Sequence, residues 1–463
     1  ALPIFTAPGG GTTHVDGVIA TQTAGRNIHF ASDAIIGNSN ILKDAIDWIA
    51  SDTQPNVSLS MTRGSSLFYS RNDMDQSQEA FDVIETSPGI YDKMLPILEK
   101  AFADYCFVGS YYVNIGANSP DQRTDWAVSK AYYDRLRAID SEIGSHSYTH
   151  PSDTNLLLED TPQILALIAR VDPSNPNAVD PTTLTAAEKE LLFSSYRFQF
   201  ETSRAILEAK LGYEIGGAAV PGMPERIETT REIIKYYDYI SGGFSGQGAG
   251  YPGAFGFLSP GETDKVYIAP NMSFDFTLIG FQNLTAEQAT AKWIAEYDAL
   301  ISHAKTPIIA FPWHDYGLTN WNVGSPDKVY TEEMFLTIIR KAYADGTEFV
   351  TGIDLANRIK AFQASTLEAT RDGNVLSVDV SSQDAGRFAL DVSDEGRVQS
   401  VANWYAWNDS KVFIDRDGGR FDVTLGPIAS DVTRVSDLPQ RAELLSVAGD
   451  GKNLAFAFEG RGG

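Results

Sequence analysis

The chain has one cysteine, Cys106, and six histidines in 463 residues. A single thiol excludes an internal disulfide framework and a cysteine-rich zinc site. "YCFVG" around it reads as a buried strand, in which a thiol is an inert core group. No run of about 18 apolar residues occurs, so no membrane-spanning helix is expected. No glycine-rich phosphate loop or dinucleotide fingerprint opens the first helix of the alternating region, which argues against nucleotide binding. Basic residues are the minority, 36 Lys and Arg against 61 Asp and Glu, for a net charge of −25. That surface repels nucleic acid and anionic membranes and suits neutral or cationic ligands, although solubility or a salty setting would produce the same balance. No leader is visible at Ala1, but the abrupt ends ("ALPIF", "GRGG") are what a processed or trimmed chain would be expected to show, so this says little about compartment.

What is present divides into three textures. Residues 1–52 hold a glycine-rich loop, a strand-like "NIHFAS" and a helix-like "SNILKDAIDWIA", too little for a domain, and are expected to be an appendage or the remnant of an upstream domain. From 53 to 362 short apolar runs alternate with amphipathic stretches. The expected strands are "VSLSM", "SLFYS", "CFVGSYYVNI", "EIGSH", "GAAVPG", "KVYIAP", "PIIAFPW" and "EFVTGI". The expected helices include "AAEKELLFSSYRFQFETSRAILEAKL" as one long element and "TREIIKYYDYI" as another. Thr285, with Gln288 three residues on, and Thr331 read as helix N-caps. Such alternation predicts a parallel α/β architecture, barrel or doubly wound. From 363 to 463 short alternating strands are broken by "RDG", "DEG", "DRDGG" and "GDG", which predicts an all-β sandwich. Its "NWYAW" reads as a packed strand in preference to a sugar-binding surface.

Two of the six histidines stand four apart in "EIGSHSYTHP". In a helix that spacing shares one face, but Pro151 pushes His150 out of helical geometry. The stretch reads instead as a strand running into a loop, with His146 at the strand's C-terminal end, where βα enzymes keep their sites. Two imidazoles and a carboxylate leave open positions on a metal ion. "SLFYSRNDMDQSQ" offers the carboxylates: an apolar strand ends at Arg71, and Asp73 and Asp75 follow in what could equally be an ordinary polar turn. The apolar "PIIAFPWHDYG" ends in Trp313, His314 and Asp315, where His314 could be a general acid or base or simply a capping residue. His14, His29 and His303 have no such neighbours.

In combination and order, "DMD", "SHSYTHP" and "PWH" resemble the motifs of the polysaccharide deacetylases of the NodB-homology group, carbohydrate esterase family 4, over roughly residues 54–362. The spaced Asp-x-Asp is similar to the variant in exopolysaccharide deacetylases of the bacterial Pel system and their fungal galactosaminogalactan counterparts. The resemblance implies a distorted (β/α) barrel and a divalent metal, Zn²⁺ or else Co²⁺ or Ni²⁺, held by Asp75, His146 and His150. It implies Asp73 as the base and His314 as the acid. An alternative register makes Asp73 the metal ligand and leaves Asn72 where the base should be. One departure stands out. The family's Arg-x-Pro-Tyr motif corresponds here to "GAAVPGMPER", whose Arg226 follows the prolines; Arg71 could substitute as the tether of the base. Gly222 and Met223 would offer a backbone N–H to the oxyanion, Trp313 would face substrate, Asp315 could orient a catalytic group, and "NMSFDF" could add a further polar group.

The implied activity is hydrolysis of N-acetyl groups from an N-acetylhexosamine polysaccharide, with release of acetate, in an extracellular or periplasmic setting. A catalytically inactive deacetylase-like carbohydrate-binding protein, or a metal-dependent hydrolase of another ester or amide bond, would preserve most of the same residues.

Overall fold

The computed structural model describes residues 5–6, 12–13, 18–31, 45–46, 48–49, 55–75, 89–116, 124–242, 255–256, 263–302, 307–320 and 329–460. Nine of the described strands form one sheet. Its order is Phe255–Gly256, Val266–Ile268, Tyr239–Ser241, Gly217–Ala219, Glu142–Ser145, Ser110–Val113, Ser66–Met74 and Ile308–His314, with Thr347–Val350 also paired to Ser66–Met74. All pairings are parallel except that of Phe255–Gly256. Helices such as Ile90–Tyr105, Trp126–Ala138, Ser203–Leu211 and Glu332–Ala344 occupy the crossovers that parallel strands require. The alternation predicts a parallel α/β architecture, barrel or doubly wound, and the sheet is the distorted (β/α) barrel that the resemblance implies.

Strand alternation decides what faces the barrel interior. Leu67, Tyr69, Tyr112, Tyr239 and Ala310 cluster inside, whereas Phe68, Phe311, Trp313 and Phe349 join the layer beneath the helices. Three tyrosine hydroxyls line up in the interior, with 2.5 Å between Tyr69 and Tyr112 and 2.7 Å between Tyr112 and Tyr239. Gly144 on the adjacent strand makes the room, since a Cβ there would lie 2.4 Å from the Tyr112 ring. Arg71 and Asp73 follow Leu67 and Tyr69 at the same parity and so complete the interior at its C-terminal mouth.

The C-terminal residues form an all-β region. Thr366–Asp372, Val375–Ser381, Gly418–Leu425 and Val398–Val401 make one sheet, and Lys411–Phe413, Ala389–Asp391 and Ser58–Ser60 another. Leu376, Val378 and Val423 from the first share a core with Leu390 and Val412 from the second. Trp407 is fully buried there and Arg434 stacks on it at 4.0 Å, so "NWYAW" is packed.

Several local expectations are corrected. "VSLSM" supplies Ser58–Ser60, which pairs with Ala389–Asp391 in the C-terminal region and lies outside the barrel sheet. Cys106 is half-buried at the C-cap of Ile90–Tyr105 with φ 55, and the strand begins only at Ser110. The helix expected at "TREIIKYYDYI" starts earlier, at Ile227, and runs to Ile233 with a 3-10 turn over Ile234–Tyr236, while Tyr239–Ser241 at its end is a strand, buried on both faces as an inner parallel strand must be. The long helix is three elements: Ala186–Phe193, a π-helical turn Phe198–Thr202, and Ser203–Leu211. Pro162–Val171 and Gly352–Ala364 are additional helices, capped by Thr161 and Thr351. The Thr285–Gln288 and Thr331 caps form as expected.

Candidate metal centre

The strand Ser66–Met74 continues past Arg71 through Asp73 and turns at Asp75. Alternation sends Asn72 outward into the helical layer, where it is fully buried, so it does not face the histidines. Glu142–Ser145 delivers His146 at its C-terminal end, and the following loop returns His150 over it, with the rings 4.9 Å apart and 70° inclined. His146 Nδ1 lies 3.0 Å from the Ala219 carbonyl. That contact makes Nδ1 the protonated nitrogen and leaves the Nε2 lone pair facing the site.

Asp75 Oδ1 is 3.6 Å from His146 Nε2 and 3.4 Å from His150 Nε2. These separations are long for hydrogen bonds, and Oδ1 is buried with no hydrogen-bond partner. They fit two ligands of one ion: bonds of about 2.0–2.1 Å in tetrahedral array set ligand atoms about 3.3 Å apart. The three ligand atoms of Asp75, His146 and His150 lie within 4.8 Å of one another. An orphaned carboxylate oxygen opposed by two imidazole nitrogens suits Zn²⁺, and also Co²⁺ or Ni²⁺. Burial lowers the His150 pKa, more than Asp75 raises it, which favours the neutral, ligating form. For Asp75 burial opposes ionisation, but the facing histidines outweigh it and hold the carboxyl well below its usual range.

Two carboxylate-bearing pairs flank this triad. Arg71 Nε donates to Asp73 Oδ1 at 2.8 Å and Nη2 to Oδ2 at 2.7 Å. The guanidinium also donates to the carbonyls of Val220 at 2.9 Å, Ser241 at 3.3 Å and Gly242. Burial alone would raise the Asp73 pKa; Arg71, then His146, reverse the effect and lower it. Asp73 Oδ2 is 3.7 Å from His146 Nε2. On the other side, His314 Nε2 faces Asp75 Oδ2 at 3.7 Å, and its Nδ1 pairs with Asp275 Oδ1 at 2.5 Å. Asp275 Oδ2 also accepts the His314 backbone N–H at 3.0 Å. Burial disfavours the imidazolium, but Asp275, then Asp75, raise the His314 pKa to about 10. Tyr316 stacks on the ring at 4.9 Å.

The orienting carboxylate is therefore Asp275, from "NMSFDF", and Asp315 is placed elsewhere: its Oδ2 is 3.4 Å from the Tyr91 hydroxyl. Trp313 is 1% exposed, donates from Nε1 to Ser70 Oγ at 2.8 Å and packs on Tyr111, because strand parity turns it away from His314. Met223 has an exposed side chain, and its N–H donates to the Ser152 carbonyl at 2.9 Å, so it is not directed at the site. Gly222, with φ 74, packs so tightly on that loop that a Cβ would meet the Ser152 oxygen at 2.5 Å. Arg226 begins the helix Ile227–Ile233 at the surface and does not reach Asp73.

No protein-family profile matches the chain, and no curated protein matches it. Solved structures do. One is a polysaccharide deacetylase assignment from Mycobacterium smegmatis, at 15% identity over 67% of this chain and 95% of that one, TM-score 0.39. Another is the peptidoglycan deacetylase PdaC of Bacillus subtilis, at 11% identity over 65% and 95%, TM-score 0.32. A third is a CE4-family pseudoenzyme of Bacillus anthracis, at 11% identity over 64% and 67%, TM-score 0.31. Among the described residues no helix is long and apolar enough to cross a membrane.

Proposed function

We propose that the protein is a metal-dependent hydrolase that removes N-acetyl groups from an N-acetylhexosamine polysaccharide. The observation that carries this reading is the convergence of Asp75, His146 and His150 between an arginine-tethered aspartate and an aspartate-bound histidine. A divalent ion at the triad would polarise the acetyl carbonyl and lower the pKa of a coordinated water. Asp73, kept ionised by Arg71, accepts the proton of the attacking water. His314, kept protonated by Asp275, donates a proton to the departing amine. The backbone at Gly222 is the remaining candidate donor to the oxyanion, a contribution of about 3 kcal/mol for one well-placed N–H. The product amino sugar is cationic near neutral pH, and a protein of net charge −25 attracts it. The spaced Asp73–Asp75 pair supports an exopolysaccharide as the polymer, through its resemblance to the Pel and galactosaminogalactan deacetylases, and hence an extracellular or periplasmic setting.

An inactive, carbohydrate-binding role drew its support from the missing arginine of the middle motif. Arg71 weakens that ground, since it reaches Asp73 from the same strand and also donates to the backbone carbonyls of Val220 in that motif and of Ser241 and Gly242 at the end of the next strand. The test is acetate release from an N-acetylhexosamine polymer, with and without a chelator, alongside metal content. Release that stops with chelator and returns with Zn²⁺ supports the reading. His146→Ala is expected to lose the metal, and Asp73→Asn to keep it without turnover. Bound metal with no acetate from any such polymer would point to the inactive protein. Loss of metal in Asp73→Asn would overturn the assignment of the two aspartates.

A further inference from the structure

The loop that carries His150 is held by one side chain from a distant element. Gln199 Oε1 accepts the backbone N–H groups of Tyr148 at 3.1 Å and Thr149 at 3.0 Å. Its Nε2 donates to the Thr149 hydroxyl at 2.8 Å and to the Phe193 carbonyl at 2.8 Å. A carboxamide offers two donors and an oxygen that accepts twice, so this side chain is fully satisfied. It is also fully buried. Three of its four bonds go to the residues between the two histidine ligands.

The loop needs this support. Ser147 and His150 have φ of 71° and 54°, left-handed values that are unfavourable for residues other than glycine. The curl they impose is what returns the His150 ring over His146. It also turns the Tyr148 and Thr149 N–H groups inward, where without Gln199 they would be left unpaired. Local hydroxyls assist from inside the loop: Ser145 Oγ accepts the Ser147 N–H at 3.3 Å, and Ser147 Oγ accepts the His150 N–H at 3.0 Å. Gln199 differs from them in coming from outside the loop. It projects from the π-helical turn Phe198–Thr202, whose Phe198 ring also lies 4.6 Å from Tyr148. A π-helical turn in the middle of a helical stretch is an uncommon distortion that recurs at functional sites.

We propose that Gln199 is a positioning residue for the metal centre, setting metal affinity by holding the 147–150 loop in its left-handed form. The inference rests on Asp75, His146 and His150 being the metal ligands. It concerns affinity and geometry, so its test reads the metal and not turnover.

The experiment uses the full chain stripped of metal, with Zn²⁺ affinity measured by competition with a chromophoric chelator and Co²⁺ absorption as the spectroscopic readout. Gln199→Met preserves length and volume and removes all four hydrogen bonds. It is expected to fold, to lose about 10- to 100-fold in Zn²⁺ affinity, and to show an altered Co²⁺ spectrum. Gln199→Glu retains the two contacts to backbone N–H groups and is expected to recover most of that loss. Folded Gln199→Met with wild-type affinity and spectrum overturns the proposal. So does equal loss in both variants, which would make the site's need one of packing alone. If Gln199→Met fails to fold, Thr149→Val, which deletes one of the bonds, decides: a several-fold loss of Zn²⁺ affinity supports the proposal and an unchanged affinity overturns it. Failure of the wild type to bind Zn²⁺ or Co²⁺ at all is a different result, and removes the metal centre itself.

Discussion

Arg71 and Asp73 stand two residues apart on one strand, and their side chains close a two-point ion pair at 2.8 and 2.7 Å inside the barrel mouth. Residues i and i+2 share a face of a strand, so the pair is built from local geometry and needs no second element to assemble it. The planar guanidinium matches both carboxylate oxygens and still reaches three carbonyls. A lysine has the charge but not the fork. Arg71→Lys is therefore expected to lower kcat about 100-fold, equivalent to about 3 kcal/mol, with bound metal unchanged. Steady-state kinetics with parallel metal analysis checks this. A kcat close to that of the wild type would mean that charge alone suffices.

Asp275 does for His314 what Arg71 does for Asp73, with the opposite sign. Its carboxylate, together with Asp75, overcomes the burial of the imidazole and raises the pKa to about 10. A raised pKa keeps the proton on His314 as pH increases, and a cation at Asp75 would draw the value down. In Asp275→Asn the main raising charge is gone, so burial weighs more and His314 deprotonates at lower pH. The alkaline limb of the kcat/KM profile is expected to move to lower pH by at least about one unit, with the acidic limb nearly unchanged. A profile that falls in height without moving would mean that Asp275 merely packs against the ring.

The features of the site that were legible in the sequence are those set by short-range geometry. Pro151 after His150 excludes a helical pair, and the strand ends at His146 and His314 follow from apolar runs that stop, whereas the first strand runs through Asp73 to Met74 instead of ending at Arg71 as expected. Side-chain direction was harder to read. Trp313 adjoins His314 in sequence, yet strand parity buries it among Tyr111 and Phe335. Asp315 adjoins it too, but the chain turns there into a single helical turn and aims the carboxylate at Tyr91. Gln199 is about fifty positions from the loop that it holds and sits in a stretch that reads as uninterrupted helix. Only the serine pair of "SSYRF", whose hydroxyls bond nearby backbone groups in competition with the helix, marks the break. Ser58–Ser60 was misplaced for a related reason: a three-residue alternating strand carries no sign of which sheet it will join.

The interior of the barrel yields a stability prediction. Tyr112 fills space that a Cβ on Gly144 would enter, at 2.4 Å from the ring, and its hydroxyl is held between Tyr69 and Tyr239. The ring cannot retreat without breaking that chain. Gly144→Ala is expected to destabilise the fold by about 3 kcal/mol, as overpacking of a tight core does. Urea unfolding measures it. Gly144→Ala combined with Tyr112→Phe should recover part of the loss, because the phenyl ring is free of its hydrogen bonds and can shift. No recovery would place the strain in the backbone instead.

Glu348 joins the barrel to segments that lead into the C-terminal region, and its titration has a definite sign. It lies on the strand Thr347–Val350 and accepts from Arg358 at 2.6 and 3.0 Å, from the Arg441 N–H at 2.9 Å and from the Thr62 hydroxyl. Burial favours the neutral acid, but Arg358, and then Arg63, prevail and depress the pKa from 4.5 to about 2. A depressed acid contributes stability that is fully present above its unfolded pKa and is lost as pH falls through the folded value. The window is therefore between 4.5 and about 2. Glu348→Gln is expected to be less stable than the wild type by about 3 kcal/mol at pH 7, because among the described residues Arg358 is left with Asp354 as its remaining carboxylate partner. The gap should narrow steadily as pH falls across that window, since the wild type loses there what the variant never had. Chemical denaturation of both proteins at a series of pH values measures it, and a gap that stays constant down to pH about 2 would show that the buried carboxyl is not ionised in the folded protein.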